Sequence, residues 1–437
     1  MRQVGTNFVW LLSEKVFRIL FGVLIGAWVA RFLGPYEYGV LSYAMAFVGI
    51  IAPLSGLGLD SIVIRELILS PDSNAEILGT SFCLRAIGGI AIALLSLAGA
   101  MIFHGHDTTM VWLIGVFGFS VFLQVIDIPD LWFQSRTQSA FVVKSHLVGL
   151  VVSAAIKVGL IVFGVASVVF FALSGVAELI VSLGVVLCYY LGSGPSIHNW
   201  RFNSRHIRNW LNESWPFMLT GILGFVMLNR VVQVVLKNVG SNFDAGIFAA
   251  ALRVAEFWYY IPMYLMASAF PSVVEFCKTD SRNLTYHLRP LLHILNLISL
   301  FSVAFFSVFS DSIIQLLYGR QYEKAAEVLF WLIVCSLPVN YGFVLNVVLV
   351  VHRKTHIFFG ALMMGLSVLL LSSYILIPAY GAAGAAGSFL LAVSVSCFCI
   401  NLLFRETRKI ANVFFETLLL PWRNIGKLMD SVGSGWK

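Results

Sequence analysis

The feature that most constrains this chain is a series of long apolar blocks, near residues 7 to 30, 38 to 59, 79 to 103, 111 to 133, 141 to 164 and 167 to 191, then 214 to 236, 245 to 270, 288 to 310, 325 to 350, 356 to 377 and 382 to 404. A membrane-spanning helix needs about 20 largely apolar residues, and each block meets that length. With 59% hydrophobic and only 11% charged residues, against roughly a quarter charged in a soluble domain, the chain lacks the polar surface a water-soluble fold requires. Lipid leaves backbone groups no water to bond, so each block is expected to be helical. The expected fold is an all-α polytopic membrane protein of about twelve spans. Its expected division is a bundle over 1 to 192, a cytoplasmic linker over 193 to 213, a second bundle over 214 to 404 and a basic amphipathic tail over 405 to 437.

The basic residues orient the chain. Short cytoplasmic loops retain Lys and Arg. If the N-terminus is cytoplasmic, alternate loops place only Arg31, Lys237, Arg320 and Lys324 outside, with Lys15, Arg18, Lys157, Arg230 and Arg253 within spans and the rest of the 28 inside. Both termini are therefore expected on the cytoplasmic side. The net charge of +7 reflects this sorting and does not point to nucleic acid. The first block is long and carries Glu14, Lys15 and Arg18, which suits a retained span rather than a cleaved signal. The six cysteines show no metal-ligand spacing and are expected to pack as small apolar side chains.

Four stretches carry a family resemblance: RFLGPYEYGVLSYA (31 to 44), GLGLDSIVIREL (56 to 67), LLYGRQYEKAAEVLFWL (316 to 332) and IPAYGAAGAAGS (377 to 388). They resemble the Wzx-type flippases of lipid-linked O-antigen and exopolysaccharide units, in the multidrug/oligosaccharidyl-lipid/polysaccharide (MOP) superfamily. The resemblance implies two six-helix bundles of MATE-like design and a cationic central cavity. An internal echo agrees with duplication, since LGPYEYGVLSYA (33 to 44) is similar to VGSNFDAGIFAAA (239 to 251) and SRTQSAF (135 to 141) to HRKTHIF (352 to 358). The tail is shorter than the two-helix extension of MurJ-type lipid II flippases. It mixes basic residues with Phe414, Phe415, Leu418, Leu419 and Trp422, which suits an interfacial helix. Gly34-Pro35 and Gly381 stand at span ends, where they are expected to make turns.

Charges within spans cost roughly 2.5–3.5 kcal/mol each at a helix centre and mark pathways or partners. Glu14 and Arg18 are four apart, and Arg253 and Glu256 three apart, so each pair shares a helix face and can neutralise itself. Arg230 and Lys157 have no acid at helical spacing. They face either an anionic ligand in a cavity or cross-helix partners such as Asp127 and Glu178. A lipid-linked sugar carries a pyrophosphate, and guanidinium groups bind phosphate oxygens in bidentate fashion. Arg18, Arg230 and Arg253 are thus the candidate head-group ligands, with Lys157 as a further point charge. Glu14, Glu256, Asp127 and Glu178 are candidates for ion coupling or charge balance, whereas Asp130 is expected to lie too near the cytoplasmic end. Trp258, Tyr259 and Tyr260 are deep enough for one of them to line a sugar path.

These readings favour a flippase moving undecaprenyl-pyrophosphate-linked oligosaccharide from the cytoplasmic to the periplasmic leaflet of a bacterial inner membrane, by alternating access coupled to protons or sodium. No other cofactor is expected and no metal. Expected partners are membrane lipids and the polysaccharide polymerase and chain-length machinery. The alternative is a MATE-like cation-coupled exporter, for which an acid-dominated binding lobe is expected. A polymerase or ligase would need a large outer loop, and the longest here, about 311 to 324, is too short.

Overall fold

The structure, a computed structural model, describes residues 2–222, 225–279, 284–352, 354–403 and 405–419. Fifteen α-helices follow in order: α1 (Arg2–Ile51), α2 (Asp60–Leu69), α3 (Asn74–His104), α4 (Thr108–Val125), α5 (Ile128–Ser135), α6 (Ser139–Val162), α7 (Val168–Ser193), α8 (Ile207–Ile222), α9 (Phe225–Val239), α10 (Asn242–Thr279), α11 (Leu284–Tyr318), α12 (Ala325–Val334), α13 (Ser336–Val351), α14 (Thr355–Leu403) and α15 (Arg405–Leu419). Only short 3-10 turns interrupt them, and no strand occurs among the described residues.

Every apolar block falls mainly on helix. Among the described residues, eight helical runs are long and apolar enough to cross a membrane. Two of these, Leu20–Leu54 and His356–Ile400, each hold two blocks joined at a glycine. At Gly34 (φ 76, ψ 167) and Gly381 (φ 55, ψ −128) the backbone leaves the helical region within α1 and α14, as expected for turns at those positions. The two blocks outside the eight runs, 214 to 236 and 245 to 270, fall on α8–α9 and on α10. They carry Asn229, Arg230 and Gln233, and Arg253 and Glu256, which make them the more polar spans.

The chain divides into two compact units, Met1–Val234 and Val235–Lys437. In the first, α3 packs on α4, α6 on α7, and α1 on both α4 and α6. The α6–α7 approach is close because Gly149 has no side chain: a Cβ there would stand 2.5 Å from the Glu178 carbonyl oxygen. Small residues at such crossings let helices approach where lipid supplies no hydrophobic drive. The ends of α3, α5 and α7 close over a core that includes Ile77, Leu78, Trp132, Phe133 and Tyr190. Residues 199–203 strap across this end. Arg201 N–H donates to the Ala75 carbonyl (3.0 Å), Asn203 N–H donates to Thr80 Oγ1 (2.9 Å) and the Asn203 side-chain amide donates to Glu76 (2.6 Å).

In the second unit, α10, α11, α12 and α14 pack together and α15 lies on α11. The tail's apolar face is turned inward: Thr407, Ile410, Ala411, Phe414 and Thr417 are buried at helical spacing, while Arg408 and Lys409 are exposed. Asn296 of α11 donates to the Phe414 carbonyl (3.0 Å) and to Thr417 Oγ1 (2.9 Å), and Arg289 pairs with Glu416. Trp422 and the remainder of the tail lie outside the described residues.

Candidate functional site

The first unit gathers a connected polar network from four helices. Its geometry starts at Pro129. Proline lacks an amide hydrogen and disfavours helix for the residue before it, so the span covering 108–135 breaks between α4 and α5, with Asp127 (φ −74, ψ 51) at the break and Asp130 in the first turn of α5. Both carboxylates thereby reach His146 of α6. His146 Nε2 lies 3.1 Å from Asp130 Oδ2 and 3.7 Å from Asp127 Oδ2, and its Nδ1 lies 3.1 Å from Glu14 Oε1 on α1.

Arg18 completes the network. One guanidinium nitrogen donates to Glu14 Oε1 (3.1 Å) and the other to Glu178 Oε1 of α7 (3.3 Å). The pairing expected between Glu14 and Arg18, four residues apart, is therefore present. Glu14 and Asp130 are only 6% and 5% exposed, so the charges sit where solvent screens them little. Buried ionic groups are tolerated when each has partners, and here every member of the network touches at least one other.

Asp130, expected near the cytoplasmic end, is one of the most buried acids of the cluster. Glu178 is engaged with Arg18, and Asp127 lies beside His146. His146 is not among the candidates read from the sequence. Its signal is a histidine at the sixth position of the 141 to 164 block, legible only beside acids that are distant in sequence.

The other candidates are placed separately. Arg230, half-buried on α9, lies with Cδ and Nε 3.5 Å from where a Cβ on Gly49 would stand. Lys157 is half-buried on α6, and Arg253 and Glu256 are half-buried on α10 of the second unit. Trp258 donates to Ser302 and Tyr259 to the Leu332 carbonyl, so both indole and phenol tie α10 to its neighbours.

A chain with these spans is a multi-pass membrane protein, and its fold is that of MOP-superfamily transporters. It is similar to an inward-facing multidrug resistance MATE family transporter of that superfamily (TM-score 0.73, 16% identity, 93% of this chain and 98% of that one). It is also similar to lipid II flippase MurJ in an inward closed conformation (0.66, 14%, 95% and 91%) and to the MATE transporter VcmN of Vibrio cholerae (0.57, 15%, 95% and 100%). No curated protein matches the sequence. Residues 28–327 match the family described as polysaccharide biosynthesis protein, and the chain belongs to that family.

Proposed function

We propose that the protein is a flippase that carries undecaprenyl-pyrophosphate-linked oligosaccharide from the cytoplasmic to the periplasmic leaflet of a bacterial inner membrane, with both termini cytoplasmic. The observation that carries this reading is the polysaccharide biosynthesis match over most of the chain, on a fold that also serves a lipid II flippase. Transport is by ion-coupled alternating access and breaks no covalent bond.

Arg230 and Lys157 of the first unit, and separately Arg253 of the second, are the cationic candidates for contact with the pyrophosphate. Arg18 reaches it by exchanging a carboxylate for a phosphate oxygen, since both of its guanidinium ends already rest on Glu14 and Glu178. In that exchange Glu14, Glu178 and Asp127 act as charge balance in the first unit, and Glu256 does so beside Arg253. A proton or sodium ion that neutralises one of these acids would free its base for the head group, which links ion and substrate by ordinary electrostatics.

The test is transfer of a labelled polyprenyl-pyrophosphate oligosaccharide across proteoliposomes. Wild-type protein is expected to transfer it. Arg230→Ala and Arg253→Ala are expected to lower the rate at least about tenfold, the scale of one lost charge-assisted contact at 1.4 kcal/mol per decade. A wild-type protein that moves no lipid-linked sugar under any ion gradient but expels a cationic dye would replace this reading with a multidrug exporter like the first of the similar structures.

A further inference from the structure

His146 stands with carboxylates on both sides of its ring, and two carboxylate oxygens beside it have no hydrogen-bond partner. Both ring nitrogens face carboxylate oxygens: Nδ1 faces Glu14 and Nε2 faces Asp130 and Asp127. A neutral imidazole donates from one nitrogen only. With the proton on Nδ1 toward Glu14, the Nε2 lone pair points at two anionic carboxylates, an arrangement that requires positive charge between them. A proton on Nε2 answers part of the requirement. It leaves Asp127 Oδ1 and Asp130 Oδ1, both buried, without a hydrogen-bond partner. Among the described residues it also sets four carboxyl groups, those of Glu14, Asp127, Asp130 and Glu178, beside one guanidinium and one imidazole.

We infer that Asp127, Asp130 and His146 form a binding site for a divalent transition-metal ion, of the class of Zn²⁺, Co²⁺ or Mn²⁺, with Glu14 as the carboxylate behind the imidazole. One donor atom from each of the three residues lies within 4.8 Å of the others. Ligands about 2.0–2.2 Å from a tetrahedral ion stand about 3.3–3.6 Å from one another, and the two distances from Nε2, 3.1 and 3.7 Å, bracket that range. Imidazole nitrogen with two carboxylates suits such ions better than it suits sodium, which takes oxygen ligands. Glu14 holding Nδ1–H is the arrangement that fixes tautomer and ring orientation in metal-bound histidines. Arg18, itself paired with Glu178, holds Glu14 in turn. A metal here joins α5 and α6 to each other and, through Glu14, to α1, so occupancy pins the broken α4–α5 span to the bundle.

This inference shares Glu14 and Asp127 with the proposed charge balance, and its test reads metal binding rather than transport, so the two fail separately. Its test uses tag-free, full-length protein in detergent, stripped with a chelator and titrated with Co²⁺ by equilibrium dialysis and visible absorption. The expected result is one Co²⁺ per chain, lost in His146→Ala and in Asp130→Asn, and held 10- to 100-fold more weakly in Glu14→Gln. A double variant at the loop histidines, His352→Ala with His356→Ala, is expected to bind as wild type does. Should His146→Ala fail to fold, His146→Gln and Asp127→Asn provide the same comparison. Absence of stoichiometric Co²⁺, its persistence in the His146 variants, or its loss in the loop double variant would overturn the inference, leaving a protonated histidine as the occupant.

Discussion

Arg18 is the residue on which two helices of the first unit agree, because its two guanidinium ends hold Glu14 of the same helix and Glu178 of α7. Lysine presents one point charge and cannot span both carboxylates. Arg18→Lys is therefore expected to destabilise nearly as much as Arg18→Ala. With the guanidinium side chain 41% exposed, solvent screening keeps the cost near the low end of what a broken ion pair gives. A double-mutant cycle of Arg18→Ala with Glu178→Gln, read by thermal melts in detergent, is expected to show a coupling of about 1 kcal/mol; additive effects would separate the two residues. The half of this network lying on one helix was legible from sequence, because four-residue spacing is a local signal. The half centred on His146 was not: its partners lie on two other segments, α1 and the start of α5, and only a folded bundle brings them to one ring.

A second residue pair makes a prediction in pH. Arg65 on α2 pairs with Glu213 on α8 and with Glu66, the second nitrogen of its guanidinium lying 2.9 Å from Glu213 Oε2. Hydrogen bonding from Arg65 holds the Glu213 carboxyl below its ordinary value of 4.5. A depressed carboxylate contributes stability above its unfolded pKa and loses it as pH falls through the folded one. The α2–α8 link is thus intact at neutral pH and released under acid, and high salt weakens it at any pH because the pair is exposed. Protection against hydrogen exchange in 60–69 and 207–222, taken relative to the intrinsic rate at each pH, is expected to fall in wild type as pH drops below the ordinary glutamate value and Glu213 takes up its proton, and to be insensitive to that step in Glu213→Gln. Equal acid responses in both proteins would dismiss the pair as a link.

At the scale of elements, the helices were legible because apolar length is a property of the sequence alone, while their interruptions were legible only where proline or glycine marked them. Gly381 was such a mark. Its positive φ is strained for any residue with a side chain, and a Cβ there would stand 2.8 Å from Asp244 Oδ1, on a carboxylate that accepts from the Ser241 hydroxyl while that hydroxyl caps α10 by accepting from Asp244 N–H. Gly381→Ala is expected to cost about 1–3 kcal/mol and to lower the melting temperature by several degrees; an unchanged melt would mean that the turn accepts ordinary backbone. The tail helix α15 was legible as amphipathic, but not in what it lies upon. Its apolar stripe suits a lipid surface and a protein groove equally, and only Asn296, a buried amide on a distant helix, decides for protein.

For the whole molecule, the lopsided distribution of Lys and Arg makes a topological prediction. Arg205 and Arg320 are both exposed and fall on opposite sides in the charge sorting. In a background without native cysteines, Arg320→Cys is expected to react with an impermeant maleimide on intact spheroplasts, and Arg205→Cys only after the membrane is opened. The reverse pattern, or labelling of both, would invert or break the expected orientation. The strap over α3 adds a constraint of a different kind. Because Arg201 and Asn203 are fastened to Ala75, Thr80 and Glu76, the segment between α7 and α8 behaves as a ruler rather than as slack rope. Deleting or adding one residue there would misalign the fastenings or shift where α8 begins, so epitope tags and protease sites that ordinary loops accept will be poorly received at this position.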